Sequence, residues 1–344
     1  MRVAIVGASG NAGTAILERI TESAEETEVV GIARRMPDDT VAPYRAARWR
    51  SIDISASLAA HRLADAFEGC DVVVHLAWLL QPNHDERVMR RTNIDGTRAV
   101  LRAVERAGVR HLVVASSLAA YSPGVKSPRV TEDAEARGIS GSHYGRMKGE
   151  QEALLDIFER HHAGVTVARV RPGLIFSAEA GTEIGRYFIG PWIPKRLLTA
   201  VPLVPLPASF VFQAVHAHDV GDAYWRIVQQ GAGGAFNVAA EPVLTPDLLA
   251  RALGARRIPM PSRVLRVVVH ILWSARLLAA DPGWVDLARK TPVMSTQRAR
   301  TELGWSTRHD STEALARVIR GVVEGDGRQG SPLLKPRRWP WQRL

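Results

Sequence analysis

A chain of 344 residues with 46% hydrophobic content is too long and too apolar for general disorder, and it predicts one large core with a smaller appended lobe. The formal net charge of +10 is spread along the chain except for the cluster from Lys335 to Arg343, which reads as a solvated terminus rather than a contact for nucleic acid or an anionic membrane, so no nucleic-acid partner is expected. A single cysteine, Cys70, excludes an intrachain disulfide and cysteine zinc sites, and no metal site is expected.

Arg2 to Val6 reads as a short buried strand, and Gly7-Ala8-Ser9-Gly10-Asn11-Ala12-Gly13 follows at once. Thr14 to Ile20 carry apolar residues at helical spacing, which sets the glycines in a strand-to-helix turn. Gly7 permits the sharp turn, Gly10 lets the backbone approach a pyrophosphate, and Gly13 lets the helix pack on the strand. The free N–H groups and dipole of the helix would face the phosphates, so Gly7, Ser9, Gly10, Asn11, Ala12 and Gly13 are the expected cofactor contacts here.

Glu28 to Ile32 is a second strand, ended by Ala33-Arg34-Arg35. An acid at that end would bind ribose hydroxyls, whereas arginine accommodates a 2′-phosphate, so Arg34 and Arg35 point to NADP, with NAD as the alternative. Arg50 to Ile54 suggests a third strand, placing Asp53 and Ile54 near an adenine. Asp71 to Trp78 is a fourth strand, apolar on both faces as a central parallel strand should be, with Leu76, Ala77 and Trp78 at its cofactor end. Thr92 to Thr97 opens a helix to about Ala107, and Val109 to Ser117 is a fifth strand.

Ser142 to Glu150 opens a long helix on which Tyr144 and Lys148, four apart, share a face. A phenol is a poor base at neutral pH, a neighbouring ammonium would stabilise its phenolate, and the Ser117 hydroxyl could bond the same substrate oxygen. These groups move a proton while hydride passes between a carbinol carbon and a nicotinamide.

The chain resembles the extended short-chain dehydrogenase/reductases, the NAD-dependent epimerase/dehydratase family. The matching motifs are Gly7/Gly10/Gly13, Asp53, His75-Leu76-Ala77, Asn93 with Gly96-Thr97, Ser116-Ser117 with Tyr121, and Tyr144/Lys148. Arg171-Pro172-Gly173, Val215 to Val220 and Phe236-Asn237-Val238 follow in the family's order. The resemblance implies catalytic Ser117, Tyr144 and Lys148, with Asn93 supporting the lysine through water or backbone and contacting the cofactor. Ser116, Pro172 and Gly173 join the implied cofactor contacts, and dimerisation through the helices carrying Asn93 and Tyr144 is common in such proteins.

Two departures narrow the chemistry. Leu118 and Ala119 stand where dehydratases of the family carry Asp-Glu, and they cannot do acid–base work. Leu197 to Gln213 is a Leu/Val/Pro/Phe run in place of a nucleotide-diphosphate-binding stretch; it suits an apolar pocket wall, with Lys195 and Arg196 left as candidate phosphate ligands. His216-Ala217-His218-Asp219 reads as strand alternation followed by an Asp helix cap rather than as a metal site.

The expected architecture is α/β: a doubly wound parallel sheet (Rossmann fold) over residues 1–173 plus 215–239, with a substrate-binding lobe over 174–214 plus 240–324. In that lobe Arg251 to Ala280 and Thr296 to Glu324 read as helices, separated by a turn at Asp281 to Trp284. Residues 325–344 read as a flexible basic tail, solvated rather than bound. The opening on a strand shows no leader, and the apolar run from Val264 to Ala280 is broken by Arg266, His270 and Arg276. A cytoplasmic protein with no membrane span is therefore expected. The expected activity is NADP-preferring oxidation of an alcohol or reduction of a carbonyl on a small, apolar molecule. The alternatives are a nucleotide-sugar epimerase with tightly bound NAD and a non-catalytic dinucleotide-binding protein or sensor.

Overall fold

The structure, a computed structural model, describes residues 1–336 except Pro82, Pro191 and Ile193, and omits the side chain of Arg196. The first half alternates β1 (Arg2–Val6), α1 (Asn11–Thr21), β2 (Glu28–Ala33), β3 (Ala47–Ser51), α2 (Ala59–Phe67) and β4 (Val72–His75). It continues through α3 (Glu86–Arg90), a π-helical turn at Arg91–Asp95, α4 (Gly96–Ala107), β5 (His111–Ala115), α5 (His143–His161) and β6 (Thr166–Pro172). The second half holds β7 (Leu174–Phe176), α6 (Gly181–Ile184), β8 (Leu203–Leu206), β9 (Ala214–His216), α7 (Ala217–Gln230) and β10 (Gly234–Val238). Last come α8 (Pro246–Ala252), β11 (Arg256–Pro259), α9 (Ser262–Ser274), α10 (Gly283–Lys290), α11 (Gln297–Leu303) and α12 (Ser311–Glu324).

Seven strands form one sheet in the order β10-β6-β5-β4-β1-β2-β3, and every pair in it is parallel. Because strand side chains alternate, β1 sends Val3 and Ile5 into one core layer and Ala4 and Val6 into the other. Helices α1 and α7 cover the first face; α2, α4 and α5 cover the second. The strand order reverses between β1 and β4, which opens a crevice at the carboxyl ends of those strands. This is a Rossmann-type doubly wound fold.

The structure corrects several element assignments. The third strand is Ala47–Ser51, so Asp53 and Ile54 lie just beyond its end. The helix expected from Thr92 begins at Glu86, where Asp85 caps it by accepting from Val88 N–H. Arg251 to Ala280 is not helical throughout: β11 interrupts it and pairs with β8. His216, not Asp219, caps α7. Asp219 instead accepts from the backbone N–H groups of Arg308 and His309, while Trp305 donates its indole N–H to the Asp219 carbonyl. With Ala299, Leu303 and Trp305 in the nucleotide-domain core, the segment carrying α11 belongs to that domain. The smaller lobe is left with a core of its own, in which Phe176, Ala214 and Leu244 meet Leu315, Val318 and Val322 of α12.

The chain beyond α12 is also corrected. Over 325–336 it returns to the nucleotide domain: Arg328 pairs with Glu18, the Ser331 hydroxyl donates to the Ser9 carbonyl, and Leu334 is buried. Gly330 sits against Val41 and Tyr44. The basic residues 337–344 lie outside the described residues.

Candidate active site

A cavity of about 620 Å³ runs along the crevice from the glycine-rich turn and the ends of β2 and β3 to the start of α5. Gly7, Ser9, Gly10, Asn11, Ala12 and Gly13 line it, with Arg34, Arg35, Asp53, Ile54, Leu76, Ala77 and Trp78. So do Ser116, Ser117, Tyr144, Lys148, Pro172 and Gly173. Asn93 does not, although its neighbour Thr92 does.

The glycines act through geometry. Gly7 has φ +92°, and a Cβ there would meet the Ala77 nitrogen at 2.8 Å, so only glycine fits between β1 and the loop after β4. A Cβ on Gly13 would lie 2.6 Å from Ala8, which is how close α1 packs. No side chain caps α1 and its first turn carries no acid, so its free N–H groups and positive dipole end meet the cavity.

At the far end of β2, Arg34 lies 3.9 Å from Asp53. Desolvation raises the Asp53 pKa, but hydrogen bonds from Ser55 and the nearby Arg34 more than offset it, so the carboxyl sits below its ordinary value. Trp78 Nε1–H and Tyr224 O–H also line the cavity, buried and without a partner among the described residues. A helix N-terminus, two arginines and two unpaired donors along one crevice fit a long, phosphate-bearing, hydroxyl-rich dinucleotide.

Around Tyr144 the walls are aromatic. Trp284 of α10 stacks on its ring at 5.3 Å, Trp78 meets it edge-on at 6.1 Å, and Phe188 packs against Trp284 at 4.7 Å. Burial pushes the Tyr144 phenol up to about 12, partly drawn back by the hydrogen bond with the Ser117 hydroxyl. The phenol is therefore protonated at neutral pH. Lys148 does not perform the expected tuning in this structure. Its ammonium donates to the Ala115 carbonyl at 2.6 Å and to Gln151 Oε1 at 2.9 Å, and lies 3.5 Å from the centre of the Trp78 ring. Burial lowers the Lys148 pKa well below the usual lysine range, opposed by the nearby Glu152.

Asn93 holds the loop after β4. Its side-chain amide accepts from Leu79 N–H and donates to the Leu79 carbonyl, at 2.7 and 2.9 Å. The π-helical turn carries this residue, and the Thr97 hydroxyl donates to the Asn93 carbonyl. That donation leaves Thr97 Oγ1 to accept from His75 Nε2 and from Gln151. His75 is neutral, because burial and the Lys148 charge lower its pKa to about 3.

Behind the cavity, Ser116 donates to Glu152, which also binds Arg169 and Arg171. Arg171 donates to the Tyr121 hydroxyl, which in turn donates to Asn237. Much of the motif set thus forms one buried polar scaffold that sets the end of β5.

Two expectations for the pocket wall fail. None of the described side chains of 197–212 lines the cavity; Leu198 and Phe212 pack in the lobe core, while Leu197, Val201 and Leu203 are exposed. Lys195 is buried with its ammonium on the Gly190 carbonyl, and the Arg196 side chain lies outside the described residues. The apolar wall comes from Tyr187, Phe188 and Trp284, none of which sits in a recognisable motif. Among the described residues no cluster suited to a metal ion is present.

The model of the NAD-dependent epimerase/dehydratase family matches residues 3–239. An uncharacterised protein of Mycobacterium tuberculosis is 28% identical over 317 residues, which cover 92% of this chain but only 29% of that protein. The chain thus spans under a third of the length of the first curated relatives. L-arabinose 1-dehydrogenase (NAD(P)(+)) of Haloferax volcanii is 29% identical over 209 residues, 56% of this chain and 77% of the enzyme. The fold is shared with the UDP-glucose 4-epimerase of Thermus thermophilus, solved with NAD: TM-score 0.67, 19% identity, 94% of this chain and 99% of that one. With the family's model matched over most of the chain, and the crevice at the strand-order reversal, the glycine-rich turn and the Ser/Tyr/Lys set all present, the chain belongs to the NAD-dependent epimerase/dehydratase family.

Proposed function

We propose that this protein is an enzyme that exchanges hydride between NADP(H) and a largely apolar carbonyl or alcohol compound, running as a reductase near neutral pH. The observation that carries this reading is the aromatic enclosure of Tyr144 by Trp78 and Trp284, backed by Phe188. A flat apolar group stacks there readily, while the cations beside that wall among the described residues are Arg186 and Lys148, the latter already bonded to the Ala115 carbonyl and Gln151.

Hydride would come from the dinucleotide that the glycine-rich turn, Arg34 and Arg35 would hold. This chain's residues do the rest: the protonated Tyr144 O–H gives its proton to the oxygen of the reduced carbonyl, and the Ser117 hydroxyl orients that oxygen. Lys148 holds the end of β5 through the Ala115 carbonyl. Ala33 in place of an acid, with Arg34 and Arg35 beside it, supports a 2′-phosphate on the cofactor. Leu118 and Ala119 offer no acid or base for dehydration.

The test is a turnover panel on the full chain. Aromatic and long-chain aliphatic ketones should consume NADPH, and UDP-, GDP- and dTDP-sugars should yield neither epimer nor keto product. Ordinary turnover of any nucleotide sugar would reverse the assignment.

A further inference from the structure

Helix α9 is apolar and carries no buried residue. Val264, Val267, Val268 and Ile271, at the i, i+3, i+4, i+7 spacing of one helix face, are all exposed, Val267 and Ile271 by 55% and 59%. The other side of the helix is anchored: Trp273 donates to Asn83 and stacks on His84, and Arg266 pairs with Asp286 of α10. An exposed stripe on an anchored helix is a surface for a partner.

Charge identifies the partner. From Arg251 to Ala280 the chain carries Arg251, Arg256, Arg257, Arg263, Arg266 and Arg276 and no carboxylate. At the N-terminal end of α9 a second recess, of about 380 Å³, is lined by Arg263, Arg266, Arg289 and Lys290 around the single carboxylate of Asp286. Four cations on one acid leave that recess positive. A second copy of the chain would bring the same cations against each other. An anionic lipid surface complements both features, taking valine and isoleucine side chains among its acyl chains and cations among its phosphates.

We propose that α9 is a monotopic docking helix for an anionic phospholipid bilayer. It lies in the plane of the interface, with the Val264/Val267/Val268/Ile271 stripe in the acyl boundary and the Arg263/Lys290 recess on a headgroup phosphate. No helix among the described residues is long and apolar enough to cross a membrane, so the contact is to one leaflet. The chain leaving α9 joins the catalytic cavity: Ala280 N–H donates to the Phe188 carbonyl, and Gln81 donates to the carbonyls of Tyr187 and Ala279. Docking therefore sets the aromatic wall beside the bilayer, where a lipid-soluble substrate is concentrated. The membrane contact itself stands on the surface of α9 and does not rest on the proposed reaction.

The test is flotation of the full chain with vesicles of phosphatidylcholine alone or with about one-third phosphatidylglycerol. The wild type should float only with the anionic vesicles. Val267→Asn with Ile271→Asn leaves the charge unchanged and should weaken partitioning about tenfold or more. Arg263→Gln with Lys290→Gln should weaken it and flatten its salt dependence. Unchanged thermal melts and cofactor titrations show that the variants are folded. Three results would overturn the proposal: no flotation with anionic vesicles at low salt, flotation unaffected by the Val267/Ile271 change, or a solution dimer that this change dissociates. The last would assign the stripe to a second copy.

Discussion

Tyr144 is a phenol raised to about 12 by burial, so it stays protonated across the neutral range. Reduction should be flat with pH around neutrality. Oxidation, which needs the phenolate, should climb about tenfold per pH unit on the alkaline side, and initial rates in both directions check this. Tyr144→Phe should keep the fold and the cofactor affinity while lowering turnover about a hundred- to ten-thousand-fold. Ser117→Ala removes one orienting hydrogen bond, worth roughly 0.5–1.5 kcal/mol, and should cost less. Lys148→Met has a structural cost as well, since it leaves the Ala115 carbonyl and Gln151 Oε1 without their donor. Each buried group left without a partner costs about 1–3 kcal/mol, so its melting temperature should fall along with activity. Arg34→Ala with Arg35→Ala should weaken NADPH binding about tenfold or more and leave NADH binding nearly unchanged, as calorimetric titration of both cofactors would reveal.

Among the elements, β6 and α5 are tied by charge. Arg169 and Arg171 sit two apart on β6, hence on one face, and both reach Glu152 of α5. Desolvation pushes the Glu152 carboxyl up, but bonds from Arg171 and Ser116 and the charge of Arg169 more than offset it, so its folded pKa lies below the ordinary 4.5. Its stabilising effect is therefore complete above about pH 4.5 and lost as pH falls through the depressed folded value. Glu152→Gln leaves two buried guanidiniums short of an acceptor and should destabilise by about 3–5 kcal/mol, read from the urea midpoint at neutral pH. As pH falls below about 4.5 the gap between wild type and variant should narrow, because the carboxyl takes up a proton more readily in the unfolded chain than in the folded one.

Taken whole, the molecule closes its last described residues over its first. Leu333 lines the cavity beside Gly10, Leu334 is 1% exposed, and Gly330 covers Tyr44, whose hydroxyl bonds Thr14 of α1 at 3.0 Å. Ending the chain at Gly325 would uncover this ground. Loss of the Leu334 side chain alone forfeits about 1.5–3 kcal/mol, so the shortened protein should melt lower than the full chain. Its cofactor affinity should change too, since Ser331 and Leu333 brace the glycine-rich turn from outside. Equal melting and equal affinity for both forms would mean that the segment is not held in solution.

The sequence by itself determined the strand-and-helix alternation, the glycine-rich turn and the Ser117, Tyr144 and Lys148 set. These rest on short-range spacing: a period of two or 3.6, a glycine every third residue, a four-residue step on one helix face. Only the tertiary structure decided what surrounds them. Trp284 stacks on a tyrosine 140 positions earlier in the chain, and Phe188 reaches the same wall from the segment after α6. The run 197–212, apolar enough to suggest a pocket, went to the lobe core and the surface, because composition records hydrophobicity but not which cavity it faces. Asn93 clamps Leu79, a contact that no local spacing records, and Thr296 onward was divided between two cores. The glycine-, proline- and arginine-rich segment after Gly325 reads as unstructured, since nothing in its own periodicity records the groove waiting beside Tyr44. Local spacing fixes backbone geometry, whereas a contact between distant segments depends on the shape of both, and that shape exists only after folding.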